Sequence, residues 1–262
     1  MENLKHCRVD IEDQILTITI NRPQVLNALS REAHYEMSGI FDRFANDSSL
    51  RVAIVTAAGN RAFCVGSDLK SKLESGYEYD EKPPTGFAGF CTRFDLNKPV
   101  IAAVNGAAIG GGLEIVLACD LAIAADHVIF SLPEPRVGQA AISASGGVQR
   151  LIRQIPFKLA MRIILTAQEI TASQALEMGL INEVVPAEEL LPRARELAKM
   201  IILGAPLAIE ASKAVAIASL SSSLERSILD QHPALVKMLM SEDAEEGLKA
   251  FYEKRPPCWL GK

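Results

Sequence analysis

The segment Gly106-Ala107-Ala108-Ile109-Gly110-Gly111-Gly112-Leu113-Glu114 sets three consecutive glycines between an apolar run, PVIAAV, and a helix-like stretch, LEIVLACDLAIA. Glycine inside regular structure costs roughly 0.5–1 kcal/mol relative to alanine. Such a cluster therefore marks glycine-only torsions or a close approach to the backbone. At a strand-to-helix turn, glycines expose backbone N–H groups at a helix N-terminus, where the helix dipole favours negative charge. A second turn of this kind, Gly66-Ser67-Asp68 in FCVGSDLK, also follows an apolar strand and opens a helix. Two facing N–H donors can hold a thioester or carbonyl oxygen as it becomes an enolate, which is oxyanion-hole chemistry.

Two carboxylates accompany these turns. Glu114 stands in the first turn after the glycines and Glu134 in SLPEPRVG. Each alone has an ordinary reading: acids favour helix N-termini by a few tenths to about 1 kcal/mol, and a loop glutamate needs no role. Competing signatures fail. Gly106-x-x-x-x-Gly111 is followed by Gly112 rather than the Lys-Ser/Thr of a phosphate loop, and no G-x-G-x-x-G opens here. His6, His34, His127 and His232 show no metal-ligand spacing. Ser143-Ala144-Ser145-Gly146-Gly147 misses the first glycine of a nucleophile elbow and has no apolar strand before it.

The elements that must position these groups follow from periodicity. RVDIEDQILTITINRP alternates apolar and polar residues and stops at Pro23, giving one or two strands joined at Asp13. The next segment is a helix capped by Ser30, with Ala33, Met37, Ile40, Phe41 and Phe44 on one face. RVAIVTAAG is a short apolar strand of the kind buried on both faces of a parallel sheet. Residues Ser71–Gly86 read as a mobile, exposed loop, GFAGFCTRFDLN as a helix, PVIAAVNG as a strand, and DLAIAADHVIFSLPEP as strand, turn and short strand. Beyond SGGVQRLIRQI come a helix, a short strand, the helix TASQALEMG and the strand INEVV, then an almost wholly helical tail. Strand–helix alternation with a helical end means an α/β core with a terminal helical piece.

The chain has 262 residues, 49% of them hydrophobic, enough for one sizeable core, and a formal net charge of −5 without a run of five like charges. That balance argues against a nucleic-acid or anionic-membrane surface. No apolar stretch approaches the roughly 20 residues of a spanning helix, and MENLKHCRVDIED has no apolar core of a secretory signal. Five widely spaced cysteines, never in C-x-x-C, read as thiols in a reducing compartment. A soluble cytoplasmic protein is expected.

Eight fragments in order carry a resemblance over essentially the whole chain: ITINRPQVLNALS, AFCVGSDLK, KPVIAAVNGAAIGGGLEIVLACDLAIAAD, FSLPEPRVG, GGVQRL, ALEMGLINEVV, APLAIEASK and SEDAEEGLKAFYEKRPP. Through them the chain resembles the enoyl-CoA hydratase/isomerase (crotonase) superfamily. The resemblance implies an α/β crotonase spiral of ββα units, with residues 1–199 forming the acyl-CoA-binding, catalytic core and residues 200–262 a C-terminal helical trimerisation region. It implies that the backbone N–H groups of Ser67 and Gly111 form the oxyanion hole for an acyl-CoA thioester. Glu114 and Glu134 match the two glutamates of the family's hydratases. Adding water to a 2-enoyl thioester needs a base for the water proton and an acid for the α-carbon; Glu114 takes the first role and Glu134 the second, coupled and shareable within the pair.

By the same resemblance the CoA nucleotide runs along RPQVLNA and FCVGSDLK, lined by Val25, Leu26, Cys64, Asp68 and Leu69, with Lys254 able to meet a CoA phosphate. Coenzyme A enters as part of the substrate, with no other cofactor and no metal, and the expected assembly is a homotrimer or a homohexamer built as a dimer of trimers. The tail's apolar residues Leu203, Leu207, Ile209, Val215 and Ile217 fit an oligomer. One stretch departs from the pattern: GQAAISASGGVQRL, Gly138 to Leu151, is two residues longer than the family's usual form and lacks its Pro-Gly. The segments GFAGFCTRFDLNKPV and SEDAEEGLKAFYEKR are similar to carnitinyl-CoA dehydratase-like members, which implies a polar or branched acyl group as an alternative to a simple enoyl chain. An enoyl-CoA isomerase, which can move its proton with one carboxylate, and a non-catalytic scaffold or RNA-binding homologue are the other readings; retention of both glutamates and the lack of a basic stripe weigh against them.

Overall fold

A computed structural model describes residues 4–70, 82–138 and 145–262. The alternating N-terminal segment forms a hairpin, β1 (Cys7–Glu12) against β2 (Ile15–Ile20), in register from Cys7↔Ile20 to Glu12↔Ile15. Asp13 and Gln14 turn it, both at positive φ (51° and 66°). β2 then lies parallel to β3 (Val52–Ala57), whose six residues are all buried, and β3 lies parallel to β5 (Val100–Val104). With β7 (Leu121–Ala125) and β10 (Glu183–Val185) they make a six-stranded sheet in the order β1-β2-β3-β5-β7-β10.

A second, four-stranded sheet contains β4 (Ala62–Cys64), β6 (Ala107–Ile109), β8 (Ile129–Ser131) and β9 (Ile170–Thr171). The chain passes from the six-stranded sheet to the four-stranded one three times, β3 to β4, β5 to β6 and β7 to β8. Helical structure follows each pair, beginning at Leu69, at Gly111 and at the turn Glu134–Val137. This is the spiral of strand pairs and helices that the resemblance implies, and it stacks the ends of β4, β6 and β8 side by side.

The helix Arg31–Asn46 begins as its sequence requires: Ser30 Oγ accepts from the Ala33 amide at 3.4 Å. Its face of Ala33, Met37, Ile40, Phe41 and Phe44 is buried, each large side chain contributing roughly 1.5–3 kcal/mol by leaving water. The helix Leu190–Ile202 runs across residue 200, where the sequence places the start of the tail, and packs on β3, β5 and β7. The tail continues as helices Pro206–Ser219, Leu224–Leu229, Pro233–Leu239 and Glu242–Glu253. Of the tail's expected apolar stripe, Leu207 is buried, whereas Leu203 and Ile217 are exposed. They join Leu220, Leu224, Leu229, Met240 and Phe251 in a large exposed apolar set.

The structure corrects one element. GFAGFC is not a helix: Phe87–Gly89 makes a single tight turn, with Gly86, Ala88 and Gly89 at φ 79°, 56° and 60°. A buried acceptor enforces it, for His34 Nδ1 takes the Ala88 amide at 2.9 Å and the two rings of His34 and Phe87 meet edge-on at 4.5 Å. Of the loop read over Ser71–Gly86, residues 71–81 lie outside the described residues. Its last part is ordered by a turn, with the Gly86 amide donating to the Pro83 carbonyl and both residues buried.

Candidate active site

β4 delivers Cys64 and then Gly66, whose φ of 93° turns the chain. Leu29 clamps this turn from below: its amide donates to the Gly66 carbonyl at 2.9 Å and its carbonyl accepts the Asp68 amide at 3.0 Å. The intervening Ser67 N–H has no protein acceptor among the described residues. β6 ends at Ile109, and Gly110 (φ 56°) is tied to β8 by its amide, which donates to Ser131 at 2.8 Å. The helix Gly111–Ala118 begins there. Gly111 N–H, in its first turn, has no intrahelical acceptor by the geometry of helix ends. The two turns touch, since a Cβ on Gly66 would stand 3.2 Å from the Gly111 nitrogen.

The glycine triplet is answered mainly by close approach of the protein to itself. A Cβ on Gly111 would enter the Phe87 ring, with Cε1 at 2.7 Å, and one on Gly112 would collide with the Cys64 carbonyl. At Gly110 both reasons apply, because φ is 56° and a Cβ would stand 2.9 Å from Glu134 Oε1.

The two glutamates come together at this junction. Glu114 is buried, and its Oε1 accepts the Gly147 amide at 3.0 Å. Burial foremost, aided by the nearby charge of Glu134, pushes its carboxyl up to about 7. The buried Ser145 hydroxyl faces Glu114 and opposes that rise, as do the Gly147 amide and Lys82. Glu134, held by the short turn Glu134–Val137, is raised as well, chiefly by burial, with its own amide opposing. Its Oε2 is buried and accepts no hydrogen bond among the described residues; an unsatisfied buried oxygen of this kind calls for an explanation, and a site that receives a ligand supplies one.

The other sequence-derived candidates divide. Val25 and Leu26 sit on the turn Pro23–Val25 and its left-handed cap, which Arg22 joins to the Ser67 turn by an ion pair with Asp68 at 3.0 Å, both side chains mostly buried. Asn27 fixes the same turn by donating to the carbonyls of Ala58 and Ala62. Leu69 is exposed beside it. The Cys64 thiol is fully buried, accepts from the Gly66 amide at 3.4 Å and is pushed up to about 12 by burial, so it is no nucleophile. Lys254 is exposed at the end of the helix Glu242–Glu253, and no hydrogen bond or ion pair joins it to this cluster among the described residues. The lengthened stretch after Gly138 is described only from Ser145 onward, residues 139–144 lying outside the described residues.

Sequence reasoning missed Phe87, read into a helix, and the contacts of Ser145 and Gly147 to Glu114. The Gly146-Gly147 pair at the start of the amphipathic helix GVQRLIRQ was the available signal. A separate cavity of about 260 Å³, lined in part by Arg51, Pro99, Ile209, Glu210 and Trp259, contains none of these groups.

Comparison with known proteins shows the family. A family model described as enoyl-CoA hydratase/isomerase matches residues 10–262. The carnitinyl-CoA dehydratase of Proteus mirabilis (strain HI4320) is 43% identical over 252 residues, covering 95% of each chain. A solved probable enoyl-CoA hydratase/isomerase from Mycobacterium abscessus superposes with a TM-score of 0.90 at 40% identity, covering 99% of this chain and 100% of that one. The enoyl-CoA hydratase from Mycobacterium tuberculosis H37Rv gives a TM-score of 0.90 at 36% identity, covering 98% and 99%.

Proposed function

The chain belongs to the enoyl-CoA hydratase/isomerase family, with hydratase/dehydratase activity on CoA thioesters, and from that premise we propose that it adds water reversibly to a 2-enoyl-CoA, giving a 3-hydroxyacyl-CoA. The observation that carries this is the meeting of two carboxyls, buried Glu114 and half-buried Glu134, at a junction where the Ser67 and Gly111 amides have no acceptor among the described residues. In the forward direction one carboxylate, Glu114, takes a proton from water as its oxygen bonds the β-carbon. The π electrons move onto the thioester oxygen, where the two amides stabilise the enolate. Collapse of the enolate draws a proton from Glu134 to the α-carbon. The pair has then exchanged protonation states and resets by passing one proton, and dehydration is the same path reversed.

The CoA moiety is proposed to lie along the Pro23–Leu26 turn and the Ser67–Leu69 segment. Two features support that placement: the Arg22–Asp68 pair fixes both segments together, and Leu69 is exposed there. Lys254 would have to meet a CoA phosphate from elsewhere on the surface. The exposed apolar side chains of the C-terminal helices support a homotrimer or hexamer. We further propose a cytoplasmic enzyme that uses no cofactor beyond the CoA of its substrate. A second reading, dehydration of a polar acyl-CoA, is favoured by the name of the Proteus relative.

The test is loss of thioester-conjugated absorbance when purified protein meets crotonyl-CoA and a panel of branched and polar enoyl-CoAs, with Glu114→Gln and Glu134→Gln beside it. Turnover lost in both variants is the expected result. Full activity in either one defeats the two-carboxylate mechanism.

A further inference from the structure

We propose that Arg150 is a positioning residue for this reaction, its guanidinium tying together the two chain segments that flank the Glu114 carboxyl. The inference rests on the reading of Glu114 as the group that handles water. Arg150 stands one turn into the helix Gly147–Gln154, and its side chain runs back past the helix start. Nη1 donates to the Ser145 carbonyl at 2.7 Å and Nη2 donates to the Cys91 carbonyl at 2.6 Å. Ser145 leads directly into Gly147, whose amide holds Glu114 Oε1. Cys91 closes the turn that begins at Phe87, and its amide donates to the Phe87 carbonyl at 3.0 Å. Phe87 is the ring that packs on Gly111. One planar fork thus joins the wall carrying a Glu114 donor to the wall behind the oxyanion-hole glycine.

Three further features fit this role. No carboxylate forms an ion pair with Arg150 among the described residues, so its strong donors serve backbone carbonyls. Gly146 (φ 79°) makes room for the side chain, since a Cβ there would stand 2.5 Å from Nη1. The helix has its own anchors in fully buried Leu151 and in Gln154, which donates to the Leu117 carbonyl at 2.9 Å. A planar fork satisfies two fixed carbonyls in a way a lysine point charge does not.

The experiment compares wild type, Arg150→Lys, Arg150→Met and Arg150→Ala as full chains, on the enoyl-CoA that wild type turns over best. It measures kcat, KM, the pH profile of kcat/KM and thermal midpoint. Misplacing Glu114 by a fraction of an ångström is expected to lower kcat about tenfold to a hundredfold. KM should change by less than about threefold, the pattern of an interaction that matters in the transition state. The acid limb should move to higher pH, because the Gly147 amide no longer holds the Glu114 carboxyl down. Guanidinium ion at sub-denaturing concentration should restore part of the activity of Arg150→Ala. Should Arg150→Met fail to fold, Arg150→Lys and Gly146→Ala, which displaces Nη1, report the same effect. Unchanged kcat and an unmoved acid limb in the folded variants, whatever the thermal midpoint, overturn the proposal. A wild type silent on the whole panel brings down the functional reading first, and this inference with it.

Discussion

Oε1 of Glu134 stands 2.9 Å from the point where a side chain on Gly110 would begin, so glycine at 110 and the carboxylate at 134 occupy one shared space. Gly110→Ala should therefore act on activity before stability. Its strained torsion costs on the order of 1–3 kcal/mol, while the intruding methyl displaces the tip of a flexible side chain, the one proposed above as the acid. We expect a soluble protein with kcat lowered about a hundredfold. Gly112→Ala should behave oppositely: its methyl meets the Cys64 carbonyl, a backbone atom that cannot step aside, and loss of soluble protein is the expected outcome. Circular-dichroism melts beside turnover rates separate the two.

The raised Glu114 carboxyl fixes a pH dependence. In the base role proposed above it works only when ionised, so kcat/KM should climb with pH through about 7 and level above it. Stability runs the other way. A carboxyl raised from 4.5 to about 7 on folding favours the native state below its unfolded value, and that advantage disappears as pH rises through about 7. Glu114→Gln removes the buried charge and should be more stable than wild type at pH 8 by about 3 kcal/mol, with the two converging near pH 4. Urea melts at both pH values check the sign.

The Arg22–Asp68 pair is mostly buried, at 13% and 12% side-chain exposure. Removing one partner leaves the other charge poorly solvated, a loss of about 1–3 kcal/mol for a pair not wholly out of water. Asp68→Ala should also loosen the Ser67 turn and raise KM for every CoA thioester alike, whatever the acyl chain. A rise confined to one acyl chain would place the effect in the acyl pocket instead.

The C-terminal helices leave Phe251 at 87% and Tyr252 at 88% exposure, a surface that monomeric proteins rarely keep open. Sedimentation should give a mass that is a multiple of 28.3 kDa, and Leu229→Glu combined with Phe251→Glu should reduce it. A monomeric wild type would refute the assembly.

The parts legible in the sequence were those set by local rules. Ser30 caps as its type demands, the alternating ILTITI lies in a sheet, and glycines at 66 and 110 mark turns. The failures share a cause, tertiary demand overriding local pattern. Phe87, Phe90 and Cys91 have helical spacing, yet the Ala88 amide turns to His34, a partner 54 residues away. β6 and β9, three and two residues long, carry too little pattern to stand out. The bond from Gly147 to Glu114 spans 33 residues and no periodicity encodes it. The pairing of Glu114 with Glu134 became visible only through resemblance to whole chains that already solve the same problem.

The amides of Ser67 and Gly111, with no acceptor among the described residues, leave a mark that does not depend on turnover. Most buried N–H groups keep their hydrogens until their structure opens; these two have no bond to break among the described residues. In deuterated water they should exchange early in the unliganded protein, ahead of their neighbours at Asp68 and Glu114, whose amides are bonded to Leu29 and Gly110. A saturating acyl-CoA should slow them selectively. Their exchange rates would then measure how well a thioester oxygen is seated, for any acyl chain, including those that never react.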